Sequence, residues 1–118
     1  MINSKSFLYV LLFFISFLYS DTYKEQLNLA INDLYNFSLD SCSHKLHVLK
    51  TQYPESPIIP FLLVSTEWQR SLLHDDPSTS YEVINTGIDR TTPFYHEMIS
   101  RYPEESSYKL FLGSLYGL

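Results

Sequence analysis

Tyr53-Pro54-Glu55-Ser56 and Tyr102-Pro103-Glu104-Glu105-Ser106 stand 49 residues apart, and their surroundings repeat with them. An apolar run follows each copy, Phe61-Leu62-Leu63 and Leu110-Leu112. His47/His96, Leu49/Met98, Leu63/Leu112 and Ser65/Ser114 fall in equivalent places. The residue before a proline is pushed out of helical geometry, so each Tyr-Pro pair reads as the end of a helix. Self-similarity at such a period is the mark of stacked helical units. No motif in the chain specifies a reaction. The repeat therefore speaks to architecture and to the surface it builds.

Hydrophobic spacing fills in the helices. Leu27, Ala30, Ile31 and Leu34 recur at three and four and predict an amphipathic helix over 23–35. Asn36-Phe37-Ser38 interrupts it. A second helix opening at Ser38 or Asp40, both able to cap, carries Leu39, Cys42, Leu46, Leu49 and Tyr53 on one face. Tyr35 is in phase with that face, so one unbroken helix over 23–53 is the alternative. A third helix starts between Ser56 and Pro60, where prolines are tolerated in a first turn, and runs to about Leu73 with Phe61, Leu62, Val64, Trp68 and Leu72. His74 to Ser78 reads as a turn. Ile84, Ile88, Thr91, Tyr95, Met98 and Tyr102 then step by four and three straight through Pro93, which argues for one helix kinked at Thr92-Pro93. Subtracting 49 from each gives Tyr35, Leu39, Cys42, Leu46, Leu49 and Tyr53, so the buried stripe is duplicated too. A last helix opens near Ser106 or Ser107 with Leu110, Phe111, Leu112, Leu115 and Tyr116.

The first twenty residues form a separate unit. Lys5 precedes an apolar run from Phe7 to Tyr19, ending at Ser20 before polar Asp21. That is the layout of a secretory signal peptide. The run is shorter than the about 20 residues a spanning helix needs; an uncleaved anchor is the other reading. The expected division is residues 1–20 as the signal and 21–118 as one helical region, exported to a periplasmic, envelope or extracellular location. A net charge of -5 without a Lys/Arg cluster offers little to a phosphate backbone or an anionic membrane surface. Nucleic acid is not an expected partner, and membrane contact is expected only through residues 1–20. Cys42 is the only cysteine, so no intramolecular disulfide is available, and its spacing suits a small buried helix residue.

Candidate chemistry is sparse. His44 and His47 share a helix face, but Cys42 lies about 200° around from His44, so the three do not converge on one ion. His74-Asp75-Asp76 reads as a capping turn and His96-Glu97 as an outward pair. No Gly-x-Ser-x-Gly turn or Gly-rich phosphate loop is present. No enzyme activity, metal or cofactor is expected. The aromatics at helical spacing read as core. The chain stops after the apolar face of its last helix, which leads us to expect a fragment of a longer array; the other reading is a homo-oligomer through Leu110, Leu112 and Leu115.

In outline the chain resembles the tetratricopeptide repeat (TPR), a 34-residue helix pair marked by Leu-Gly, a Tyr three residues later, Ala, Phe and a closing Pro. Leu112-Gly113 with Tyr116 matches a first helix. Cys42, Leu46 and Pro54 stand where the family has Ala, Phe and Pro, and Thr91, Tyr95 and Pro103 repeat that spacing. The second unit is about 15 residues longer than the family's period, and strict register puts Glu67 in an apolar site, so a shift by one near Trp68 is expected. The resemblance implies an all-α chain of antiparallel helix hairpins stacked as a short right-handed solenoid. It also implies a noncatalytic module that binds protein segments on a concave face. Carried over by position, that face holds Asn28, Asn32, Tyr35, Phe61, Ser65 and Trp68. The Lys and Arg that family members use to grip a terminal carboxylate are missing, so an apolar or extended segment is the expected ligand. The alternative is a small structural bundle that dimerises through its last helix.

Overall fold

The computed structural model describes residues 4–118, apart from the side chains of residues 12–21. All of the described secondary structure is helical: α1 (Ser4–Tyr35), α2 (Leu39–Gln52), α3 (Ile58–His74), α4 (Pro77–Arg101) and α5 (Ser106–Tyr116). Each helix packs on the next, and α3 also touches α5. The molecule is elongated, 69 × 32 × 17 Å, because α1 alone spans about 48 Å at 1.5 Å per residue. Residues 1–3 of the expected signal segment, and part of its side chains, lie outside the described residues. The α1 backbone passes through Ser20 and Asp21 without a break. Among the described residues no helix is long and apolar enough to cross a membrane.

Two cores share α3. One joins Ala30 of α1, Cys42, Leu46 and Leu49 of α2, and Ile59, Leu62 and Leu63 of α3. The other joins Val64 of α3, Ile84, Tyr95 and Met98 of α4, and Tyr108 and Leu115 of α5. Leu46/Tyr95 and Leu49/Met98, the pairs related by 49 residues, are buried at both positions. Truncating such a leucine typically costs about 2–5 kcal/mol, whereas exposed ion pairs such as Arg70–Asp40 contribute little. The duplicated stripe therefore holds the fold.

The helix boundaries follow local chemistry. Tyr53 and Tyr102 leave helical geometry with nearly the same backbone angles, φ -130° ψ 70° and φ -128° ψ 68°. Asp76 caps α4 by accepting from the Thr79 N–H at 3.3 Å, with Pro77 in the first turn. Pro93 lies inside α4, which stays one helix. Its ring is exposed, so the carbonyl four residues back that it leaves unbonded is on the water side. The neighbouring Thr92 hydroxyl donates to the Ile88 carbonyl at 2.7 Å. At α3, Pro57 and Pro60 occupy the first turn, where their missing N–H groups have no helical partner to lose.

A break at residues 36–38 removes the single-helix alternative over 23–53. There the Phe37 N–H donates to the Leu34 carbonyl and the Ser38 N–H to the Asp33 carbonyl, the two bonds of a Schellman ending. Phe37 sits at the left-handed position, φ 57°, that glycine usually holds. Five side chains of the expected buried stripes are in solvent: Tyr35 is 79% exposed, Leu72 54%, Leu110 64%, Tyr102 40%, and Tyr116 is exposed as well. Tyr35, Leu72, Tyr102 and Tyr116 sit at or near helix ends, whereas Leu110 lies mid-helix on the outer side of α5. Glu67 is exposed and paired with Arg90, while Trp68 packs toward the second core, which is the expected shift by one.

Because Phe37 is exposed and strained, Phe37→Gly should raise stability by about 0.5–1 kcal/mol, since the left-handed region costs a side-chain-bearing residue about 1–2 kcal/mol. Chemical denaturation measures this. A fall in the midpoint would show that the Phe37 ring carries packing that outweighs its strain.

Candidate functional site

The α2–α3 and α4–α5 turns lie at one end of the stack formed by α2 to α5 and touch. Glu55, in the first Tyr-Pro turn, accepts hydrogen bonds from Arg101 (2.8 Å) and from the Tyr102 hydroxyl (3.0 Å), both at the second turn. Its carbonyl accepts from the Tyr108 hydroxyl at 2.6 Å. Tyr102 and Tyr108 stack at 6.2 Å between ring centres. The opposite end is marked by Arg70, near the end of α3, reaching Asp40 at the start of α2.

Each Tyr-Pro turn lines an open groove. The first, about 540 Å³, has walls from Tyr23, Tyr53, Pro54 and Pro57, with Gln52, Glu55 and Ser56 as its polar groups. Tyr23 meets Tyr53 edge-on at 4.7 Å and hydrogen-bonds Ser56 through its hydroxyl at 2.6 Å. The second, about 380 Å³, is lined by Arg101 to Glu105. Subtracting 49 maps those residues onto 52–56, so the grooves follow the repeat. Aromatic and proline walls suit an apolar or polyproline-like segment. Sequence reasoning found the turns but not the grooves, because Tyr23 comes from a different helix.

The six residues of the expected concave face do not share one environment. Asn28, Asn32 and Tyr35 are exposed along one side of α1, and neither amide side chain has a hydrogen-bond partner among the described residues. Ser65 is buried, its hydroxyl donating to the Phe61 carbonyl at 3.0 Å. Phe61 is half-buried against both cores and meets Phe111 at 5.8 Å. Trp68 is half-buried on the second core. The exposed part of the set is thus the α1 strip. On α5, Leu115 is fully buried and Leu112 half-buried, which leaves Leu110 as the outward member of the expected oligomer contact.

His44, His47, His74 and His96 are all exposed. Cys42 points inward, 3.5 Å from the Thr66 hydroxyl, and burial pushes its thiol up from the ordinary range. Among the described residues no group of three or more His, Cys, Asp or Glu side chains could hold a metal ion. Comparison with protein-family models, with curated proteins and with solved structures finds no match.

Two tyrosines have shifted titration. Burial raises the Tyr95 hydroxyl against a smaller opposing effect of the Phe61 N–H, and burial followed by the Glu55 charge raises Tyr108. A group raised in the folded state contributes stability that is complete below its unfolded value and lost as pH climbs through the folded one. Stability should therefore start to fall above about pH 10, the ordinary tyrosine value. Thermal unfolding from pH 8 to 12 tests this, with Tyr95→Phe showing a smaller alkaline loss. An equal loss in that variant would put the effect elsewhere.

Proposed function

We propose that the chain is a noncatalytic helical-repeat module that mediates protein contacts, with TPR-like hairpins stacked as a short right-handed solenoid. The packing order supports the stacking, since α3 sits against α2, α4 and α5 and so serves both hairpins. The matching backbone of the two Tyr-Pro turns, and the groove at each, support the repeat. The layout of residues 1–20 supports export to the envelope or beyond.

The α1 strip carries the binding reading. Asn28, Asn32 and Tyr35, at i, i+4 and i+7, present two unbonded amides and an aromatic ring on one face. Side chains of this kind supply adaptable hydrogen bonds and rigid contact area at low entropic cost. A strip of this sort suits an extended segment of a partner.

A photo-crosslinking residue placed at Tyr35 in the source cells tests the reading. It should give a discrete adduct with a second protein, lost when Asn28 and Asn32 are both changed to Ala. Only self-adducts, or none, would end it. The exposed Leu110 favours a second reading, a structural bundle that dimerises through α5. Light scattering that shows a dimer converted to monomer by Leu110→Asp would favour that reading.

A further inference from the structure

Both α2 and α4 pack on α3 and scarcely on each other. Between them a cavity of about 230 Å³ opens onto α3, with buried Leu63 and Val64 as its apolar floor. Its polar lining comes from His47 and Lys50 of α2, Glu67 of α3, and Arg90 and Thr91 of α4. Nothing from α1 or α5 borders it.

Thr91 is 9% exposed, yet its hydroxyl has no hydrogen-bond partner among the described residues. Ser65, Thr66 and Thr92 each donate to the carbonyl four residues back, and Thr91 does not. Its counterpart in the first unit, Cys42, is matched with the Thr66 hydroxyl at 3.5 Å. Among the described residues only Gln69 Oε1 is both sealed in and unbonded, so the Thr91 hydroxyl keeps an opening. A polar group this deep without a partner costs free energy. Here it borders a cavity that has room for one.

The charges around the cavity point to what that partner is. Lys45, Arg70 and Arg101 are all spent on carboxylates. Lys50 has no ion-pair partner among the described residues. Arg90 gives Glu67 one terminal nitrogen at 2.8 Å, and its remaining N–H groups are unbonded. With Lys50 and Arg90 positive and Glu67 negative, the rim holds a surplus of one positive charge, and His47 can only add to it. The chain as a whole is at -5.

We propose that this cavity binds a small organic acid, a single carboxylate on a short apolar body. One carboxylate oxygen accepts from the Thr91 hydroxyl, the other from Lys50 and the free side of Arg90, and the apolar body rests on Leu63 and Val64. The volume is below the about 300–1,000 Å³ of sites for drug-sized ligands, which keeps the ligand small. One surplus charge matches a monoanion, whereas a phosphate dianion would meet the Glu67 carboxylate. The carboxylate belongs either to a free acid or to a glutamate side chain of a partner; its chemistry at the site is the same.

The probe is isovalerate, titrated into the isotope-labelled whole chain and followed by backbone amide shifts. Saturable shifts are expected at Leu63, Val64 and Thr91, and isovaleramide, of the same shape without the charge, should give none. Lys50→Gln and Thr91→Val should each weaken binding about tenfold, the loss of one charge-assisted hydrogen bond. Thr91→Val should nevertheless melt at the same or a higher temperature, because the hydroxyl it removes has no partner in the chain. Lys109→Gln removes an exposed lysine of α5 and should leave the affinity unchanged. N-acetylglutamate amide separates the two sources: tighter binding than isovalerate puts the carboxylate on a partner protein, weaker binding on a free acid. Absent or unsaturable shifts, equal binding of isovaleramide, tighter binding of inorganic phosphate, or full affinity in Thr91→Val would each overturn the proposal. Crosslinking at Tyr35 reports on α1, so failure of either test leaves the other interpretable.

Discussion

The buried hydroxyl of Tyr95 stands at the start of α3, donating to the Pro57 carbonyl at 2.6 Å and accepting from the Phe61 N–H at 3.2 Å. In α2 and α4 the corresponding backbone groups bond directly, Cys42 to Ser38 at 2.9 Å and Ser80 to Asp76 at 3.0 Å. At α3 the two prolines shape the first turn, and a side chain from the second unit bridges the gap. Buried polar groups left without partners cost about 1–3 kcal/mol. The helix common to both cores is therefore completed by a residue 34 positions away from Phe61. That ties the start of α3 to α4 through one side chain.

Around this bridge the repeat becomes intelligible. Leu46 and Tyr95 occupy equivalent buried places, but only the tyrosine carries a polar tip, and it points where α3 begins. Tyr108 does the same one helix later, donating to the Glu55 carbonyl. The first Tyr-Pro turn is thus fastened from both α4 and α5, through hydroxyls within the packing and through Arg101 at the surface. At the second turn Glu104 is exposed, as are Lys109, Leu110 and Gly113 on the outer side of α5.

Much of this was legible in the sequence, for reasons that can be named. Proline and the residue before it fix the chain locally, so Tyr53 and Tyr102 could be placed as helix ends without knowledge of the neighbours. The phase of Ile84, Thr91, Tyr95 and Met98 outweighed Pro93 because the proline falls on the water side. Periodicity reports direction but not whether a neighbour reaches that far. Tyr35 and Leu72 were expected inside for their phase and lie outside, each close to the end of its helix. Ser65 shows the converse: position by resemblance put it on an open face, and α3, packed between two hairpins, keeps it buried. The grooves at the turns needed Tyr23 beside Tyr53, a contact that no local rule supplies.

Native-state hydrogen exchange at the Phe61 amide tests the coupling of the two units most directly. With its proton on Tyr95, this amide should exchange only through the opening that also releases the α4 amides, and with the same denaturant dependence. Fast exchange at Phe61 while the α4 interior stays protected would contradict the account. It would mean that α3 begins independently of the second unit, and that the hairpins lie side by side without being joined.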